Sequence, residues 1–226
     1  FKTAILLILA ISGLNLEAQV SSYTFTQSAS TYTPIGSGGT RQTSAEGDEG
    51  GVAVSLPFTF NFNGTGYTSV AASTNGFIQM GTAVVNGAGA AYVSASNSNG
   101  QIISSATAGT FNAIAALNYD LTNIATFTVT GNRTSGSTSL AGCAGANFTA
   151  TKVRPGMGVS GTGIPAGTYI TSVNIGLGTI ALSAAATSGT GTSTTLTIST
   201  GLVTTTTGVS PNRVFTVQWS GRKRYN

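Results

Sequence analysis

No histidine occurs anywhere in the 226 residues, and the single cysteine is Cys143. The missing imidazole removes Ser-His-Asp and Cys-His activation of a nucleophile, together with the commonest metal ligand. A lone thiol excludes an intrachain disulfide and reads as a small buried hydrophobe. Charge is scarce as well, at 6% of residues, where ~25% is usual. Hydroxyl and amide groups must therefore hydrate the surface. The 40% hydrophobic content can still supply a core, so the chain reads as folded. The apolar run Ala4–Ile11 covers eight residues, short of the roughly 20 that cross a bilayer.

What is present begins with an address. Lys2 supplies a positive start, Ala4–Ile11 an apolar centre and Ala18 the small residue before a cleavage point, with Gln19 following. Residues 1–18 are thus expected to be a helical signal peptide, the protein secreted or on the outer cell surface, with no membrane span after cleavage. Removing them leaves 208 of the 226 residues, room for one large β domain or two small ones. The chain starts at Phe1 instead of Met and stops at Asn226 just after a strand, so a fragment of a longer secreted protein is expected. The net charge of +4 reflects few acids; only Arg222-Lys223-Arg224 cluster, which is no phosphate-tracking stripe, and nucleic acid is not an expected partner.

Period-two patterning dominates the mature chain. Tyr23–Thr26 alternates, Thr31–Ile35 predicts a second short strand, and residues 41–51 read as an exposed, polar, Gly-rich loop. Val52, Val54, Leu56, Phe58, Phe60 and Phe62 then share one face of a strand in which Pro57 marks an edge position or bulge. Asn63-Gly64 turns the chain into a strand over 67–74, and Asn75-Gly76 turns it again into Phe77–Met80. Residues 82–110 hold few large apolar groups and predict loops with a weak strand at Ile102-Ile103. Phe111–Leu117 fits either a short helix or a buried strand. Phe215, Val217 and Trp219 share a face near the end.

Residues 125–200 differ in texture. Strands are expected at 126–130, 158–160, 169–173 and 179–182, with consecutive turns over Gly161–Thr168. A last, weakly packed strand is expected around Leu196 and Ile198. The overall reading is all-β: an antiparallel, jelly-roll-like β-sandwich over 19–124 and 201–226, interrupted by a small β insert over 125–200.

Four ordered segments carry a family resemblance: SSYTFTQSASTYTPI (21–35), VAVSLPFTFNFNGTGYTSVAASTNGFIQM (52–80), IAALNYDLT (114–122) and RVFTVQWSGRKRYN (213–226). Together they resemble the N-terminal β-sandwich module of large secreted, adhesin-like surface proteins of gliding bacteria that use type IX secretion. GTGIPAGTYI (161–170) resembles the hairpin repeats of phage tail and adhesin-like proteins. The larger resemblance implies a non-enzymatic extracellular adhesion, display or structural module whose partner is an extracellular glycan or a surface protein. The alternative is a carbohydrate-binding accessory module of a secreted polysaccharide-degrading enzyme.

Candidate site residues are few. The mature carboxylates are Glu46, Asp48, Glu49 and Asp120, three of them on one loop. That suits poorly a glycosidase pair held roughly 5–9.5 Å apart on rigid elements, and no catalytic residue is assigned. Glu46, Asp48 and Glu49 with loop carbonyls are candidate Ca²⁺ ligands, without the spacing of an EF-hand; no other cofactor is expected. Tyr67, Trp219 and Tyr225 are candidate sugar-stacking aromatics, although Trp219, like Phe77, sits on a face that also suits core packing.

Overall fold

The structure is a computed structural model that describes residues 26, 28–48, 50–82, 112–117 and 121–224. The expected signal segment with Ala18 and Gln19, the strand at 23–26 apart from Thr26, Glu49, Ile102-Ile103, Phe111, residues 118–120 and Tyr225 lie outside them.

Alternation builds the first sheet. In β2 (Gly51–Phe62) the even-numbered apolar residues from Val52 to Phe62 turn inward, and Leu56 is buried. Ala53, Ser55, Pro57, Thr59 and Asn61 are exposed. Asn63 and Gly64 both take positive φ, 49° and 77°, the geometry of a tight hairpin turn into β3 (Thr65–Ser73). β4 (Phe77–Met80) and β5 (Ala113–Ala115) complete an antiparallel meander ordered β2-β3-β4-β5. Pro57 sits within the register break between Ser55 and Phe60, on the edge strand, where a missing N–H costs no ladder bond. The stretch 111–117 is resolved in favour of a strand, three residues long, with Ile114 44% exposed. Thr31–Ile35, expected as a short strand, joins no ladder among the described residues.

A second antiparallel sheet comprises β1 (Thr40–Arg41), β13 (Gly201–Thr207) and β14 (Val214–Ser220), in the order β1-β13-β14. One face meets the meander. Phe215 packs with Leu56, Val70 and Met80, while Val217 and Trp219 pack with Ala45, Ala72 and Leu202. β6 (Leu121–Asn123) pairs beside it with β15 (Arg222–Arg224). This pair of facing sheets makes the fold sandwich-like and all-β; a 3-10 turn at Thr43–Ala45 is the only helical element among the described residues.

The third layer lies on the other face of β13 and β14. It comprises β7 (Phe127–Arg133), β8 (Ser139–Ala144), β9 (Gly158–Ser160), β10 (Ile170–Asn174), β11 (Thr179–Leu182) and β12 (Gly191–Ser199). Their order is β10-β11-β8-β7-β12-β9. The two ends are stitched together by the bridge between Gly158 and Tyr169 and by Ile170 N–H donating to the Met157 carbonyl at 2.9 Å. A sheet closed this way leaves few unpaired edges. Val129, Leu140, Ile180, Leu182, Leu196 and Ile198 fill its interior. β12 therefore departs from the weak packing expected of it: Leu196 and Ile198 are both 0% exposed, between β7 and β9.

Backbone approach joins this barrel to the middle sheet. Ser220 Oγ and Gln218 Nε2 donate to the Pro155 carbonyl at 2.8 and 3.0 Å. Tyr169 packs with Ile35 and Val203, and its hydroxyl donates to the Gly36 carbonyl at 2.5 Å while accepting from Gly39 N–H at 2.9 Å. A Cβ on Gly201 would meet the Gly156 carbonyl oxygen at 1.8 Å, so only glycine permits this contact.

Candidate functional site

In a chain with so few charges, the placement of each one is informative. Arg41 forms a two-pronged fork with Glu46, Nε to Oε1 at 2.6 Å and a terminal N–H to Oε2 at 2.7 Å, with both side chains largely buried. The same guanidinium donates to the Thr168 carbonyl at 3.0 Å and to Ser199 Oγ at 2.9 Å, tying β1 to the barrel. The loop at 41–51 is thus not simply a solvated run, and Arg41 is its anchor. Arg133 plays a similar part within the barrel, donating to the carbonyls of Ser188 and Gly189.

Arg222 opens β15. Its guanidinium donates to the carbonyls of Gly47 at 2.8 Å and Ala45 at 3.1 Å, and to Asn123 Oδ1. Burial lowers its pKa to about 10, against the attraction of Glu46 and Asp48, so it stays cationic at neutral pH.

Two neighbouring cavities of about 530 and 460 Å³ share Arg154, Gly221 and Arg222 in their linings, in the cleft between β14–β15 and the barrel. Tyr32 and Trp219 line the first; Lys152 and Phe127 line the second. A third cavity of about 230 Å³ lies between the sandwich sheets and is apolar, lined by Leu56, Phe58, Phe60, Met80 and Phe215. Arg213 closes one side of it, 5.0 Å over the Phe58 ring and donating to the Pro57 carbonyl at 3.0 Å.

The NIDO-related family model matches residues 22–145, 124 of the 226. The chain belongs to the NIDO-related family. This is a family of extracellular domains, not typically enzymatic. No curated protein and no solved structure matches the chain. The NIDO-related match runs past residue 124 through β7 and β8, so it takes in the first two barrel strands as well as the meander. No helix among the described residues is long and apolar enough to cross a membrane.

The NIDO-related segment holds Tyr67, which is half-buried against Leu56, Val70 and Met80, its hydroxyl accepting from Asn112 Nδ2 at 2.6 Å. Trp219 lies beyond the match, half-buried on Ala45, Ala72 and Leu202, with its indole N–H donating to the Ser73 carbonyl at 2.7 Å. The two aromatics belong to different clusters, and Trp219 is the one that reaches the cleft. Phe77 is buried. Of the three candidate calcium ligands, Glu46 has both oxygens on Arg41 and Asp48 is exposed. Among the described residues no group of three or more His, Cys, Asp or Glu converges. Cys143 is buried, and that burial pushes its thiol pKa up.

Arg154, Lys152 and Tyr32 were not flagged by motif reasoning. The available signal was an isolated pair of cations beside Pro155-Gly156 in a chain that otherwise avoids charge.

Proposed function

We propose that this NIDO-related chain is a non-enzymatic extracellular module that holds a partner, serving adhesion, display or matrix structure within a larger secreted surface protein. The family match carries the reading. The site chemistry supports it: cations and aromatics line an open cleft, while the one thiol is buried and its pKa raised. Such a cleft binds; it offers no activated nucleophile with a base beside it. Beads coated with the chain should adhere to polysaccharide-coated or protein-coated surfaces more strongly than bare beads. Equal retention on every surface would contradict the proposal.

A second reading is favoured by one observation, Trp219 and Tyr32 on the same cavity. It makes the chain the carbohydrate-binding accessory module of a polysaccharide-degrading enzyme. A glycan array tests it, because such a module should select the polymer its enzyme degrades.

A further inference from the structure

We propose that the cleft between β14–β15 and the barrel is a binding site for an acidic polysaccharide, a polymer of uronate or sulfated sugars. The proposal rests on the extracellular-module reading and assigns that module its ligand class. Its first support is charge. The whole sequence has nine Lys and Arg and five Asp and Glu. Lys152, Arg154 and Arg222 line the two cavities, and among the described residues no carboxylate does, although Glu46 and Asp48 attract Arg222.

These cations are differently committed. Arg222 is held in place by two carbonyls and Asn123. Lys152 gives one of its three ammonium protons to Asn147 Oδ1 at 2.6 Å, leaving two for a ligand. Arg154 is exposed, and among the described residues its guanidinium has no hydrogen-bond or ion-pair partner. One fixed charge and two available ones on the same linings suit an anion repeated along a polymer.

The second support is aromatic. Tyr32 is 67% exposed at the first cavity, whose lining also includes Trp219. The C–H face of a pyranose packs on an exposed ring such as that of Tyr32 while its hydroxyls stay in water. Shape is the third. Each cavity falls within the roughly 300–1,000 Å³ of small-ligand sites, and the two share Arg154, Gly221 and Arg222 in their linings, which places sugar-sized spaces side by side. A duplex nucleic acid would instead call for a stripe of cations along one face.

The test is affinity electrophoresis of the whole chain through gels containing polygalacturonate, heparin, or neutral dextran. The chain should be retarded by at least one acidic polymer and not by dextran, and added salt should weaken the retardation. Arg154→Glu should weaken it roughly tenfold. Because the exposed Arg154 guanidinium has no hydrogen-bond or ion-pair partner among the described residues, the variant should melt like the parent, which separates lost binding from lost folding. Undiminished retardation of Arg154→Glu, equal retardation by dextran, or displacement by a DNA duplex of matched charge would each overturn the proposal. Absence of acidic-polymer binding in a chain that still confers bead adhesion would overturn the cleft assignment alone. Loss of both would overturn the extracellular-module reading too.

Discussion

The barrel and the sandwich bury their apolar residues in different ways. In the barrel, twelve buried residues between Val129 and Ile198 form one cluster. The sandwich layers and their junctions divide theirs among three clusters of three. Closure explains the contrast. A sheet whose ends meet surrounds its interior, so Leu196, Ile198, Ile170 and Met157 reach 0% exposure; Leu202 and Val203 reach it too, because β13 is covered by a layer on each face. The meander and the middle sheet close on each other without meeting at their edges, which leaves the apolar cavity beside Phe58 and leaves Val214 55% exposed. The louder apolar pattern belongs to β2, yet burial is deeper in the Ser/Thr/Gly-rich barrel and in β13, where Leu202 and Val203 are 0% exposed against 8% for Leu56. Apolar content along a strand and the dryness of the core it enters are separate quantities.

The comparison can be broken by paired substitutions. Leu196→Ala should cost about 3–5 kcal/mol, because a closed interior cannot collapse around the void. Leu56→Ala, beside an existing cavity, should cost about 2 kcal/mol. Chemical denaturation measures both, and equal costs would remove the distinction. Arg41→Met should cost about 1.5–3 kcal/mol by stranding Glu46 and releasing the Thr168 carbonyl and Ser199 that link β1 to the barrel. Gly201→Ala forces a side chain onto the Gly156 carbonyl and should cost about 1–3 kcal/mol.

The smallest effect concerns Cys143. Its raised pKa means the folded chain resists forming the thiolate. As pH rises past the unfolded thiol's value near 8.5, the unfolded chain loses its proton first, so stability falls. Cys143→Ser should flatten that slope. In the native protein the thiol should react slowly with a disulfide reagent, and quickly once unfolded.

Much of the architecture was legible where local chemistry decides it. β2 follows from strict alternation, and the turns at Asn63-Gly64 and Gly161–Thr168 from residues that tolerate positive φ or fix it. β8 was not legible, for a physical reason. Leu140 and Cys143 both face the core although they are three apart, because Gly142 takes φ +57° and the pairing with β7 shifts register there. A bulge reverses the inward parity that sequence reading depends on. β12 is legible as a strand but its packing is not, since two large apolar residues among threonines look weak until β7 and β9 cover them. The cleft was the least legible part. Tyr32, Lys152, Arg154 and Trp219 are far apart in the chain, and only the docking of the barrel on β14 brings them to one place. Tyr67, a reasonable candidate by composition, packs in a different cluster.

Amide hydrogen exchange of the whole chain tests the central contrast most directly. Exchange reports the free energy of opening each element. Amides of β7, β8, β11 and β12 should be the slowest and should open together, with β2 to β5 exchanging roughly tenfold faster or more. Equal protection across both regions, or slower exchange in β2 to β5, would contradict the account.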